Sequence, residues 1–235
     1  MDDWIDFYDS AHTIYVNARH RDLHFLRIAE DLARHVPAGA TVLDYGCGEA
    51  LHADIVADKA GRLILFEPAP GVRARLAACW RDAPRIEVCG PDGLAALPDR
   101  SIDLAIMHSV AQYLTPEELD AAFALFRRLL RPGGFLLLGD VIRPHTSALT
   151  DALALLRFGA RGGFFFAAVI GLGRTMLSSY WRLRSTLGLT RYDEPVIMAK
   201  LAAAGFSATR APDNIGHNSS RMTFLARPAE PAGGR

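Results

Sequence analysis

Residues 42–50, VLDYGCGEA, place an acid and two closely spaced glycines directly after an apolar run. Asp44 supplies a carboxylate, while Gly46 and Gly48 can adopt positive φ angles and let a ligand approach the main chain closely. A helix that begins after such a turn presents free backbone N–H groups to the same ligand. The stretch predicts a site for a nucleotide-like ligand, although an ordinary strand-to-helix turn can carry the same two glycines.

Two further acids follow apolar runs in the same way. Glu67 closes the run in LILFEPAP, where a carboxylate can accept hydrogen bonds from both hydroxyls of a ribose. Asp92, in CGPDG, can receive an adenine amino group. Taken singly, Glu67 also reads as a solvated strand end and Asp92 as a turn-forming residue. Because the carboxyl ends of neighbouring parallel strands meet at one edge of a sheet, we expect the three turns to lie side by side.

Strands and helices alternate along most of the chain and must position these acids. The first five apolar runs are apolar on both faces, which is typical of a parallel sheet covered by helices on both sides. Helical patterns occupy 20–36, 115–130 and 193–205, and RPGG is expected to end the second of them before the next strand. Strands are predicted at 41–45, 62–67, 85–89, 102–108, 135–141, 207–211 and 222–227.

The segment 143–191 interrupts this alternation with two or three apolar helices and no strand pattern. Insertions of this length in compact domains are usually functional, and an apolar lid over an apolar acceptor is one hypothesis. A dimer interface or extra core is the second, and shallow contact with a membrane surface is the third. The aromatic and sulfur-containing residues are Phe158, Phe164, Phe165, Phe166, Met176, Tyr180 and Trp181, and the flanking arginines are Arg157, Arg161, Arg174, Arg182 and Arg184.

Composition excludes several classes of protein. The 26 basic and 26 acidic residues give a formal net charge of +0, so no nucleic-acid partner is indicated. The three cysteines indicate neither a disulfide framework nor a zinc site, and no clustered histidines and acids predict a metal. The N-terminal sequence lacks a secretory pattern, and the apolar window 162–173 is shorter than the roughly 20 residues of a membrane span. We therefore expect a cytoplasmic protein.

Four stretches together resemble the class I S-adenosylmethionine-dependent methyltransferases. They are VLDYGCGEA, LILFEPAP, SIDLAIMHSVAQYL and LFRRLLRPGGFLLLGD. The resemblance covers residues 13–141 and 193–227, and the last two stretches make it specific because LRPGG before an apolar strand recurs in that family. A nicotinamide-dependent dehydrogenase would instead show GxGxxG, whereas this chain reads GCGEAL and lacks the third glycine.

The resemblance implies an α/β fold with a Rossmann-like, doubly wound, mostly parallel seven-stranded sheet, helices on both faces and a helical lid inserted after the fifth strand. We expect a single methyltransferase domain over 1–235, with an N-terminal helical cap at 1–36 and the lid at 143–191. Its implied cofactor is S-adenosylmethionine. The implied cofactor contacts are Asp44, Gly46 and Gly48 for the methionine part, Glu67 for the ribose, Asp92 and Gly93 for the adenine, and Tyr15 and His108.

His108 is also the catalytic candidate, because it follows the fourth strand near the expected sulfonium methyl and an imidazole titrates near neutrality. The same residue can instead close a strand by bonding backbone or cofactor. We expect methyl transfer to a small, hydrophobic or lipid-like acceptor, with oxygen or carbon favoured over nitrogen. The alternative is a non-catalytic S-adenosylmethionine-binding protein that acts through its apolar insertion.

Overall fold

The computed structural model describes residues 2–9, 15–176 and 188–229. Parts of the proposed cap and lid, including Tyr180, Trp181, Arg182 and Arg184, therefore lie outside the described residues. Seven strands form one sheet in the order β3-β2-β1-β4-β5-β7-β6. They are β1 (Thr41–Tyr45), β2 (Arg62–Phe66), β3 (Ile86–Cys89), β4 (Ile102–His108), β5 (Leu130–Val141), β6 (Phe206–Arg210) and β7 (Met222–Pro228).

Strands β1 to β5 are parallel, whereas β7 runs antiparallel to both β5 and β6. The predicted doubly wound, mostly parallel sheet is therefore confirmed. The helices are α1 (Asp2–Asp9), α2 (Ala18–Ala33), α3 (Ala53–Ala57), α4 (Pro70–Cys79), α5 (Pro91–Ala95), α6 (Pro116–Leu129), α7 (Ala148–Gly162), α8 (Phe165–Met176) and α9 (Glu194–Ala203), with a 3-10 turn at Ala111–Tyr113.

Alternate residues of the central strands face two separate hydrophobic cores. Leu43 of β1 packs in a core that also contains Phe123 and Phe126 of α6. Its neighbour Val42 packs in the opposite core with Leu32 of α2. Because successive side chains of a strand point to opposite faces, a strand that is apolar throughout is buried on both sides. Burial on both faces fixes the position and register of these strands in the sheet, and the predicted acids lie at their carboxyl ends.

The link between α6 and β5 differs in one respect from the prediction. Helix α6 begins with a capping box between Thr115 and Glu118 and ends at Leu129, as its sequence indicates. However, β5 begins at Leu130, which pairs with Ile102, rather than at 135. The pairing shifts register between Ile102 and Leu104, and Gly133 has φ +82°. The RPGG stretch is therefore an irregularity within the strand, not a loop before it.

The described part of 143–191 contains two helices and no strand, as predicted. Helices α7 and α8 pack closely, since a Cβ atom added to Gly159 would lie 3.2 Å from the Cβ of Ala168. Within the described residues, no helix is both long enough and apolar enough to cross a membrane. We call α7 and α8 together the hairpin.

Candidate active site

The glycine turn after β1 is bonded to the end of the neighbouring strand. The Gly46 N–H donates to the carbonyl of Phe66 over 2.9 Å. Gly46 has φ +73° and Gly48 has φ +60°, a region that favours glycine. A Cβ on Gly46 would lie 2.7 Å from a Val110 methyl, whereas a Cβ on Gly48 would have no heavy atom within 4 Å. The space before Gly48 is thus open to a ligand.

Glu67 joins this turn to the turn after β2. One carboxylate oxygen accepts the Gly48 N–H and the other accepts the Ala69 N–H, each over 2.9 Å. Burial raises the pKa of Glu67, while these two backbone N–H groups and Arg73 oppose the rise. The side chain is therefore held in place by the backbone that it connects, and the predicted proximity of the two turns is confirmed.

Asp44 lies near the carboxyl end of β1, where it is the register partner of Leu65 in the neighbouring strand β2. Burial raises the pKa of Asp44 to about 7, and the nearby charge of Glu67 contributes to the rise. Two acids in one buried corner disfavour each other's ionised forms. A cationic group placed between them would relieve this repulsion. The corner therefore fits a ligand that carries an ammonium or sulfonium charge.

A cavity of about 190 Å³ opens at this corner. Of the predicted contacts, Tyr15, Asp44, Gly46, Gly48, Glu67 and His108 line it. Trp4 and Ile5 of α1 also line it, and no sequence motif pointed to them. Asp9 anchors α1 by accepting the Val72 N–H at the start of α4 over 3.0 Å. The N-terminal helix therefore covers this first cavity.

Asp92 and Gly93 are placed differently from the other predicted contacts. Both are exposed at the start of α5, and neither belongs to the lining of the first cavity. Asp92 accepts the Ala96 N–H through its backbone carbonyl, within its own short helix. Their assignment to the adenine stays a prediction.

A second cavity, of about 580 Å³, lies beneath the hairpin. Ala152, Leu155 and Leu172 form an apolar part of its lining. Asp151 and Arg221 form part of a polar side, and the guanidinium donates to the carboxylate over 2.9 Å. Burial by itself would lower the pKa of Arg221, but the surrounding carboxylates raise it above its ordinary value. This cavity can hold a molecule with an apolar body and a polar end.

The two cavities adjoin, because six residues line both. They are Tyr15, His24, Ile28, His108, Ser109 and Tyr113. His108 Nε2 lies 3.3 Å from the carbonyl oxygen of Ile215, so this nitrogen carries the proton if the pair is hydrogen-bonded. The structure therefore has a defined junction at which a group bound in one cavity meets a group bound in the other.

Two imidazoles at the junction, those of His108 and His24, have lowered pKa values, which favours their neutral forms. Burial lowers the pKa of His108, although the nearby Asp140 carboxylate opposes the shift. Burial also lowers the pKa of His24, and the neighbouring His217 adds to the effect. Nδ1 of His24 is buried and has no hydrogen-bond partner among the described residues. His24 was not among the predicted site residues, and its only sequence signal is the i,i+4 spacing from His20 on one face of α2.

Two of the four non-glycine residues with positive φ among those described lie beside the junction. Ser109, directly after β4, has φ +57°, and Asp140, near the end of β5, has φ +62°. The Ser109 hydroxyl donates to the Asp140 carboxylate over 2.8 Å, and Asn214 accepts the Asp140 N–H. Non-glycine residues with positive φ are uncommon and cluster at functional sites. Neither residue was among the predicted site residues, since no sequence pattern indicates a positive φ at a residue other than glycine.

Two imidazoles that line the second cavity, those of His20 and His217, stack on phenylalanine rings of the segment 143–191. His217 stacks on Phe158, with ring centroids 4.5 Å apart, and His20 stacks on Phe164 at 5.1 Å. Burial lowers the pKa of His20 to about 4. Among the described residues, no group of three or more His, Cys, Asp or Glu side chains could hold a metal ion.

Residues 43–138 match the family model described as a methyltransferase domain. A probable S-adenosylmethionine-dependent methyltransferase of Mycolicibacterium smegmatis is 34% identical over 104 residues, which are 44% of this chain and 38% of that protein. The family match therefore shows a methyltransferase domain over residues 43–138, and the likeness of the chain is to the class I S-adenosylmethionine-dependent methyltransferases. The cofactor of this family is S-adenosylmethionine, whose sulfonium and ammonium charges match the acidic corner at Asp44 and Glu67.

Two more proteins show how far the likeness extends. The malonyl-[acyl-carrier protein] O-methyltransferase of Serratia marcescens is 29% identical over 114 residues, 48% of this chain and 43% of that protein. The solved DhpI–SAH complex matches with a TM-score of 0.62 at 14% identity, over 97% of this chain and 96% of that one. The chain thus spans less than half the length of the curated relatives it matches, while the methyltransferase fold extends over nearly all of it.

Proposed function

We propose that the protein transfers a methyl group from S-adenosylmethionine to a small acceptor with a hydrophobic body, with oxygen or carbon favoured over nitrogen as the methylated atom. The observation that carries this proposal is the pair of adjoining cavities with a shared lining at the carboxyl edge of the sheet. One cavity has the acidic corner that suits a cationic cofactor. The other has the apolar lining that suits the acceptor.

In this proposal the acidic corner holds the cofactor. Asp44 and the backbone at Gly46 and Gly48 bind its methionine part, and the open space before Gly48 supports this placement. Glu67 accepts the ribose hydroxyls with the oxygen lone pairs that its two backbone bonds leave free. Tyr15 and His108 contact the cofactor from the junction side. Asp92 and Gly93 remain the proposed adenine contacts, at the exposed start of α5.

Held at Asp44, Gly46, Gly48 and Glu67, S-adenosylmethionine would supply an electrophilic methyl group for in-line transfer to an electron pair of the acceptor, with the carbon–sulfur bond electrons staying on the sulfur. The protein chiefly has to align the two molecules and exclude water. We propose that His108 accepts the proton of an acceptor that must lose one. Its Nδ1 is the basic nitrogen when Nε2 donates to Ile215. His24 is the second candidate, because its Nδ1 has no hydrogen-bond partner among the described residues.

The second cavity supports an acceptor of mixed character. Hairpin residues would contact its apolar body, while Asp140 and Arg221 would face a polar end. Neutral imidazoles at the junction favour an acidic O–H or C–H acceptor, since a neutral amine already has a free lone pair and needs no base before attack. This is the reason for placing oxygen and carbon before nitrogen.

We further propose that 1–235 act as one domain. Residues 1–36 serve as a cap over the cofactor, which agrees with the position of Trp4 and Ile5 at the first cavity. Residues 143–191 serve as a lid over the acceptor, which agrees with the position of Leu155 and Leu172 at the second.

The test starts with calorimetric titration of the purified protein with S-adenosylmethionine and S-adenosylhomocysteine. We expect micromolar binding of both, followed by transfer of a labelled methyl group to members of a panel of hydroxy and carbon acids with apolar bodies. Binding of neither compound would reject the cofactor site. Tight cofactor binding without transfer to any acceptor would favour the non-catalytic alternative.

A further inference from the structure

Most of the exposed large hydrophobic side chains among the described residues lie on the outer surface of the hairpin. Of the seven exposed large hydrophobic residues among those described, six lie on α7 and α8. We call these six the outer hairpin face: Leu149, Leu153, Phe165, Phe166, Val169 and Ile170. Phe166 is 81% exposed and Leu149 is 68% exposed. Large exposed apolar patches are rare on soluble monomeric proteins, and where they occur they mark interaction sites.

This face is distinct from the part of the hairpin that lines the second cavity. Ala152, Leu155 and Leu172 line that cavity, so the inner side of both helices is already in use. On α8, Phe166 and Ile170 are four residues apart and share one side of the helix. The outer side chains thus contribute neither to the sheet core nor to the cavity wall.

The charges around the face have one sign. Arg157, Arg161 and Arg174 are all exposed. Asp151 is the only acid between residues 148 and 176, and it points to Arg221 and the second cavity. The outer surface of the hairpin therefore combines six exposed apolar side chains with three positive charges and no opposing acid of its own.

Large apolar side chains bordered by arginines are typical of helices that lie in the interface of an anionic bilayer. Helices α7 and α8, of 15 and 12 residues, are shorter than the roughly 20 residues needed to span it. Pairing two copies through this face would bring like charges together without acids to offset them. We propose that the outer hairpin face binds a lipid surface containing anionic headgroups, with its apolar residues at the acyl boundary and its arginines on the lipid phosphates.

This inference goes beyond the proposed methyl transfer and does not depend on it. A hairpin resting on a bilayer would place the second cavity next to the source of a lipid-like molecule. Membrane binding is measured without any acceptor, and cofactor binding is measured without any membrane. Failure of one can therefore be distinguished from failure of the other.

The experiment is co-sedimentation of the full chain with vesicles of phosphatidylcholine alone and of phosphatidylcholine with phosphatidylglycerol. We expect binding to the anionic vesicles that weakens with added salt, and much weaker binding to phosphatidylcholine. Absence of binding to both kinds of vesicle would overturn the proposal. Equal binding to both, independent of salt, would overturn the role of the arginines and with it the anionic surface.

Two pairs of matched variants locate the contact. Each neutralised arginine should weaken binding about fivefold, so R157Q/R161Q/R174Q should weaken it about 100-fold. The control R75Q/R81Q/R85Q removes three exposed arginines that lie outside the hairpin, on α4 and between α4 and β3. Vesicle binding by this control should stay within about threefold of binding by the unaltered chain. I170D should abolish sedimentation, whereas V196D alters an exposed aliphatic residue on α9 and should not. If the chain instead forms a concentration-dependent dimer that I170D dissociates, and binds no vesicles, the partner of the outer hairpin face is a second copy of the chain and not a lipid surface.

Discussion

The acidic corner at the sheet edge lines the first of the two adjoining cavities and the hairpin lines the second, but these two regions are built in opposite ways. Val42 and Leu43 beneath the corner are fully buried, and Glu67 is held by two backbone N–H groups. The hairpin instead exposes most of its large apolar side chains on one surface. Residues that buried strands hold in place have little freedom to vary, whereas a surface hairpin can change its outer and inner residues independently. Substitutions in the two regions should therefore affect different measurements.

The largest expected effect tests the junction between the regions. His108→Ala should lower turnover by about 100-fold or more, because a positioned general base contributes roughly 10² to 10⁴ in rate. The dissociation constant for S-adenosylmethionine should change much less. Steady-state kinetics and calorimetry on the same preparation measure both. His24→Ala is the matched comparison: if it removes the activity while His108→Ala retains it, the base is His24.

Glu67→Ala should weaken S-adenosylmethionine binding by about 10- to 100-fold, since hydrogen bonds to a charged group are worth about 1.5–3 kcal/mol. Turnover at saturating cofactor should fall less than affinity. Calorimetric titration gives the first value and initial rates give the second. The control is Glu87→Ala, a half-exposed carboxylate paired with Arg62 on the surface. If Glu67→Ala binds S-adenosylmethionine with unchanged affinity, Glu67 does not bind the ribose hydroxyls.

Gly46→Ala and Gly39→Ala separate strain from steric overlap, because both glycines have φ +73°. Left-handed backbone alone costs about 1–2 kcal/mol for alanine. At Gly46 the new methyl also meets Val110, which should add about 1–3 kcal/mol to the loss of unfolding free energy. Urea unfolding of both variants gives the difference. Equal losses would mean that Val110 moves aside at little cost.

Cofactor affinity should rise with pH up to about 7 and then level off. In the free protein the pKa of Asp44 is raised to about 7, so the carboxyl is largely protonated at pH 6. A cationic ligand favours the ionised form of Asp44, so binding at pH 6 should release up to about one proton. Release of one proton corresponds to an affinity that rises about tenfold for each pH unit. Calorimetry in buffers of different ionisation enthalpy counts that proton. Asp44→Asn should lose the proton release; its persistence would assign the titration to another group.

The smallest effect is expected from the hairpin. Ile170→Asp should leave the S-adenosylmethionine dissociation constant within about twofold, since Ile170 is 57% exposed and lies outside the lining of the first cavity. Calorimetry on this variant and on Val196→Asp provides the comparison. A large loss of cofactor affinity in Ile170→Asp alone would show that the two regions are coupled, and the contrast between them would fail.

The fold was largely predictable because its signals are local. Strands β1 and β4 begin and end where the apolar runs do, and the capping box at Thr115 marks the start of α6. The start of β5 was missed, because pairing of Leu130 with Ile102 depends on a neighbouring strand. The exposed position of Asp92 depends on how the short helix α5 leaves the sheet, which its own residues do not specify.

By itself the sequence determined the alternation of strands and helices, the corner at Asp44 and Gly46, and the acid at the end of β2. Each rests on residues that are near one another in the chain, where burial periodicity and glycine geometry act directly. The tertiary structure decided the junction of the two cavities, which joins His24 of α2, His108 of β4 and the segment at Ile215. These groups come from distant parts of the chain, and only the packing of helices onto the sheet sets the distances between them.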